Sequence, residues 1–248
     1  MDATAQFVGG VAGLAAALVN TAVGSGALVA LPLLVVRDID PRAAVIALSV
    51  GLLPGTVSGT WAYRRELVTA GRRAWLLALA AALGGALGAG LLMLMPSAVF
   101  AGVVPWFILS GAVLMALQPR ISASFGRSAY ALPDRLTPLL FVLLGVYGAL
   151  LGAGQGLLTL ALLAVSGSGL QAANAVKNLT NAATNLVAAT LLVLRAEIPW
   201  ALCAGIAVGA VAGGLVGARV ARGLPDRVLR GAVVVIGLGT AVWAFLAW

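Results

Sequence analysis

The chain has 248 residues, of which 62% are hydrophobic and only 9% charged, with a formal net charge of +8, one cysteine and no histidine. A soluble domain needs roughly a quarter of its residues charged to cover its surface, so this composition excludes a water-soluble globule. It also excludes an intrachain disulfide, Ser-His hydrolysis, histidine-ligated zinc or haem and histidine proton relays, and no cofactor motif suggests an enzyme.

Apolar runs follow one another along the chain. They cover about 5–36, 43–63, 74–95 and 98–117, and then about 136–166, 171–194, 198–220 and 228–247. Each approaches or exceeds the roughly 20 residues needed to cross a bilayer core. Met1-Asp2 places no basic residue before the first run, so that run does not read as a cleaved signal peptide. The positive charge lies mostly in the gaps, as in Arg64-Arg65-Glu66 and Arg219–Arg230. That is the placement of cytoplasmic loops flanking membrane spans, not of a nucleic-acid surface.

The two groups of four segments are related. Val23-Gly24-Ser25-Gly26-Ala27-Leu28 resembles Ala153-Gly154-Gln155-Gly156-Leu157-Leu158 at an offset of 130. Gly84-Gly85-x-x-Gly88-Ala89 matches Gly213-Gly214-x-x-Gly217-Ala218 at an offset of 129, and Pro96 and Pro225 each follow seven residues later. Residues 1–118 and 135–248 therefore read as a duplication, joined by a polar inter-repeat loop at 119–134.

The opening segment of each half is about 31 residues long, roughly 46 Å as a helix, too long for one crossing of a ~30 Å core and too short for two. Each is interrupted by Gly-x-Gly, where the chain is able to turn. Loop arginines choose between the readings. Were all eight segments to cross, the two faces would collect eight and six basic residues; with segments one and five as hairpins that re-emerge on the side they entered, the split becomes eleven and three. Only the second split has the asymmetry that insertion requires. The expected fold is an all-α integral membrane protein of two inverted repeats, each a glycine-broken re-entrant hairpin plus three transmembrane helices. The 2–3, 4–5 and 7–8 loops would be cytoplasmic and both termini outside.

Lys177 is the only charged residue in the interior of an apolar segment. Asn174, Asn178, Asn181 and Asn185 follow helical spacing and form one stripe, with Lys177 and Thr184 at its edge. Single polar residues often serve to join transmembrane helices; four amides beside an isolated lysine favour a polar cavity. The hairpin tips, Gly24-Ser25-Gly26 and Gly154-Gln155-Gly156, would add backbone N–H groups at the start of a helix, which attract anions. No acid lies within a segment to bind a cation or carry a proton. The expected ligand is a small oxyanion, carboxylate or sulfonate, moved electrogenically. The first half places Ala44, Leu48, Gly51 and Gly55 where the second has its polar stripe, and the hydroxyls of Ser49, Thr56 and Thr60 read as bonding their own backbone. Gly205, Gly209, Gly213 and Gly217 form a ladder suited to close helix packing, and Trp61, Trp75, Trp200 and Trp248 lie near segment ends. Trp106 fits neither scheme.

The chain resembles the sulfite exporter TauE/SafE permeases over nearly its whole length. The likeness rests on Gly24-Ser25-Gly26 with Leu31-Pro32-Leu33, on Gly152-Ala153-Gly154-Gln155-Gly156, and on Ala175-Val176-Lys177-Asn178. It continues through Ile198-Pro199-Trp200, Gly213-Gly214-x-x-Gly217-Ala218-Arg219 and Leu224-Pro225, with Ser25 standing where a third glycine is common. The resemblance implies transport, usually export, of sulfite, sulfoacetate or related organosulfur anions across the inner (plasma) membrane. An anion channel, or an uptake permease for another small anion, is the alternative the residues leave open; an assembly subunit or intramembrane enzyme finds no chemistry here.

Overall fold

In hydrocarbon the backbone must satisfy its own N–H and C=O groups, and a helix does so within one segment. The computed structural model describes residues 2–22, 26–125, 135–151, 155–165 and 170–223, and within the last segment 231, 234–239, 241–242 and 245. The described residues are helical, without a strand. In chain order the helices are α1 (Asp2–Ala22), α2 (Ala27–Val35), α3 (Pro41–Gly51), α4 (Leu53–Ala62), α5 (Arg64–Leu94) and α6 (Ser97–Phe125). The second half supplies α7 (Leu136–Leu151), α8 (Gln155–Val165), α9 (Leu170–Arg195) and α10 (Trp200–Gly223). The expected repeat boundary at 118 falls inside α6, which continues to Phe125.

Among the described residues, Ala3–Asn20, Pro41–Trp61 and Arg64–Leu94 are long and apolar enough to cross a membrane. α9 has the length, 26 residues, but its lysine and asparagines make it too polar to join that group. On α5 the usual amphipathic pattern is inverted. Leu76, Leu79, Leu83, Leu87 and Leu91 are exposed, while Gly84, Gly85, Gly88 and Ala89 are buried. Large side chains face outward to lipid, and small ones let other helices approach.

Segments one and five are each two helices whose second limb folds back. Gly26 lies so close to the Ala16 carbonyl that a Cβ there would overlap it, and Gln155 packs on Gly148. A continuous helix would hold each of these pairs apart by roughly two or three turns. The limbs are unequal, contrary to the expected pair of half-helices. α1 has 21 residues against nine in α2, and α7 has 16 against 11 in α8. The glycine break sits at the far end of the first limb rather than at its middle, so α1 alone is about 31 Å long.

Close glycine contacts give the helix courses. Gly205 meets Gln6, Gly209 meets Gly10 and Leu14, and Gly213 meets Leu14 and Ala17, so α1 and α10 run parallel. In the same way Gly84 meets Val142 and Gly145, and Gly88 meets Val146 and Ala149, so α5 and α7 run parallel. Gly51 meets Cys203 and Ile206, and Gly55 meets Ala210, so α3–α4 also follows α10. α1 and α3 thus point the same way although they are consecutive spans; α2 has brought the chain back. α5 and α9 run together as well. Their N-terminal halves share one core cluster (Leu67, Ala74 and Leu77 with Ala173, Val176 and Leu179), and their C-terminal halves another (Ala89 and Leu92 with Ala188 and Leu192). α6 and the last segment run oppositely, with Ala112 by Gly237 and Trp106 edge-on to Phe245 at 4.9 Å. That ring pair accounts for Trp106. Arg42 Nη2 donates to the Met93 carbonyl at 2.8 Å, joining the start of α3 to the end of α5.

Two local departures from the sequence reading have simple causes. Segment two is divided at Leu52, because Pro54 has no N–H for the Val50 carbonyl. The basic 2–3 loop is itself helical and joins α5 through Gly71, whose φ of 66° is open to glycine.

Candidate functional site

α9 carries the polar stripe on a helix that tertiary packing buries. Lys177 is only 8% exposed and pairs with no carboxylate among the described residues. Asn174, Asn178, Asn181 and Asn185 are half-buried, and a side-chain oxygen of Asn181 is buried without a partner. A buried polar atom left unpaired is costly, and a buried lysine without a counter-charge more so. Polar and ionisable groups buried in this way within a membrane helix mark it as a candidate ligand site.

Helix α8 reaches this stripe through one side chain. Gln155, its first residue and 5% exposed, donates from Nε2 to Thr184 Oγ1 at 2.9 Å. Thr184, fully buried, donates in turn to the Ala81 carbonyl of α5 at 3.1 Å. Gly85 lets α5 approach Thr184, since a Cβ there would come within 2.8 Å of the Thr184 carbonyl. Thr184 lies one turn beyond Asn181 and two beyond Lys177 on the same face. The N-terminus of α8, whose first-turn N–H groups have no partner within the helix, is therefore held against α9 about two turns from Lys177. From α4, Thr60 Oγ1 donates to the Asn178 carbonyl at 3.0 Å, bringing the first half to the same helix.

The expected residues are accounted for as follows. Lys177 and the four asparagines stand together on α9, and Gln155 and the buried Gly156 begin the neighbouring α8. The Gln155 amide is engaged by Thr184 on one side, which sequence reasoning did not foresee. Gly26 caps the return limb α2, is buried and packs on the Ala16 backbone of α1. Gly24, Ser25 and Gly154 lie outside the described residues. Thr56 and Thr60 do bond their own backbone, at Leu53 and Thr56, as their type predicts. The Thr60 hydroxyl has one proton to share between the Thr56 and Asn178 carbonyls; the Asn178 acceptor was not legible, because nothing in a hydroxyl's spacing names its partner on another helix. Thr184 had a signal: it is the hydroxyl continuing the asparagine stripe.

The profile of the family described as "Sulfite exporter TauE/SafE" matches residues 9–244. A Haemophilus influenzae protein named "Probable membrane transporter protein" is 25% identical over 230 residues, covering 90% of this chain and 88% of the relative. A Sinorhizobium protein named "Probable membrane transporter protein ORF9" is 24% identical over 238 residues, covering 94% and 89%. No solved structure matches the chain.

Proposed function

The chain belongs to the sulfite exporter TauE/SafE family of membrane transporters, and from that premise we propose that it carries a small anion, sulfite or an organosulfonate, out of the cell across the inner membrane by alternating access. The Gln155–Thr184 bond carries this reading. It brings the donors at the start of α8 to the face that holds Lys177 and Asn181, so that a fixed positive charge, amide groups and a helix N-terminus converge on one region. Such a set suits an oxyanion; among the described residues no carboxylate stands there to favour a cation.

The helix courses support two inverted repeats. α5 runs against α3, hence against α10, its counterpart in the other half; α1, α3–α4 and α6 likewise run against α7, α9 and the last segment. The re-entrant placement of segments one and five has a direct test. In a Cys203→Ala background, single cysteines at Asp2 and Asp38 should both label from outside the cell. Labelling from opposite faces would remove the hairpins and the inverted repeat with them.

Flux into proteoliposomes across sulfite, sulfate, sulfoacetate, taurine and chloride tests the substrate class. Saturable, counterflow-competent flux of the sulfur anions is expected of a carrier, and unsaturable flux would mark a channel. The interior-negative potential already drives anions outward by about 2.3 kcal/mol per charge for each 100 mV. Flux should therefore follow a potential set with valinomycin and potassium. Flux that ignores it and tracks a proton or sodium gradient would overturn electrogenic export.

A further inference from the structure

Each group in the Gln155–Thr184–Ala81 chain has its direction set by the next. The Ala81 carbonyl only accepts, so the Thr184 hydroxyl gives its proton there. The Thr184 oxygen is left to accept, which turns the Gln155 amide so that Nε2 faces α9. The amide oxygen then lies over Gly148, the residue of α7 that has no Cβ to displace it. Two elements of the second half, the hairpin α7–α8 and the stripe helix α9, are tied at one point to the glycine-rich α5 of the first half. At the corresponding repeat offsets the first half has Ser25 for Gln155, and Pro54 and Gly55 for Thr184. Neither Pro54 nor Gly55 offers a hydroxyl, so the relay has no equivalent at the repeat-related positions.

We propose that Thr184 is a positioning residue of the anion site: through Gln155 it holds the first turn of α8 against the Lys177–Asn181 face. Thr184 need not touch the anion. The inference rests on the anion-transport reading and deepens it, by assigning the alignment of the second hairpin to a single polarised hydrogen-bond chain within the membrane.

Full-length protein in proteoliposomes, with radiolabelled sulfite as probe, tests the assignment. Thr184→Val keeps the shape and removes the hydroxyl. It should raise the half-saturating concentration roughly three- to tenfold, the equivalent of one hydrogen bond, with the maximal rate within about twofold of the unaltered protein. Thr184→Ser should restore the unaltered value, a rescue that a purely space-filling threonine would not require. Gln155→Met should reproduce the Thr184→Val shift, and the double variant should be no worse than either single one, because both cut the same chain. Should Thr184→Val not fold, Gln155→Met alone carries the expected shift. An unmoved half-saturation in Thr184→Val or Gln155→Met, no rescue by serine, or full additivity would overturn the relay while leaving anion transport standing. If the unaltered protein moves neither sulfite nor sulfoacetate, the transport reading falls and the positioning role falls with it.

Discussion

Segment two of the first half, α3–α4, is divided by Pro54, buries Ser49 without a partner and turns Thr56 onto its own backbone. Its counterpart α9 runs unbroken for 26 residues and presents Lys177 with four asparagines. The helices around them differ far less. α1 on α10 and α5 on α7 are both parallel pairs closed through glycines, and Gly84 and Gly213 meet equivalent partners to within a residue or two of the repeat offset. On the proposed repeat, the frame is shared by the two halves and the polar stripe is one-sided. A frame built on backbone contact tolerates no side chain, whereas a polar stripe has only to be present once for one ligand.

If the frame is symmetric, damage to either pair should be equally severe. Gly84→Leu would drive a side chain into the Val142 backbone, and Gly213→Leu into Leu14 and Ala17. Each should abolish recovery of monodisperse protein in detergent, an effect well beyond the 1–3 kcal/mol of ordinary overpacking. Normal yield and melting of one variant beside collapse of the other would break the equivalence of the two pairs.

The site should answer in the opposite way. Lys177→Ala should remove sulfite flux from proteoliposomes while the protein stays folded, and Ser49→Ala should leave flux within about twofold and melting unchanged or slightly raised, since an unpartnered buried hydroxyl has no bond to lose. Normal flux in Lys177→Ala would take α9 out of the site. Loss of flux in Ser49→Ala would show that the first half contributes after all.

Much of this was legible without coordinates. The 62% hydrophobic composition and the sparse charges determined the membrane and the helices, because hydrocarbon leaves the backbone no other way to satisfy itself. The glycine motifs at offsets of 129 and 130 suggested a repeat, and the spacing of Lys177 and the asparagines determined the stripe, since both are properties of order along one chain. What tertiary structure alone decided is which helices meet. The parallel course of α10 with both α1 and α3, the unequal limbs of the hairpins, the reach of Thr60 to Asn178 and the Gln155–Thr184–Ala81 chain each join residues far apart in order. A hydrogen bond between helices depends on two surfaces at once, and a periodicity describes only one of them.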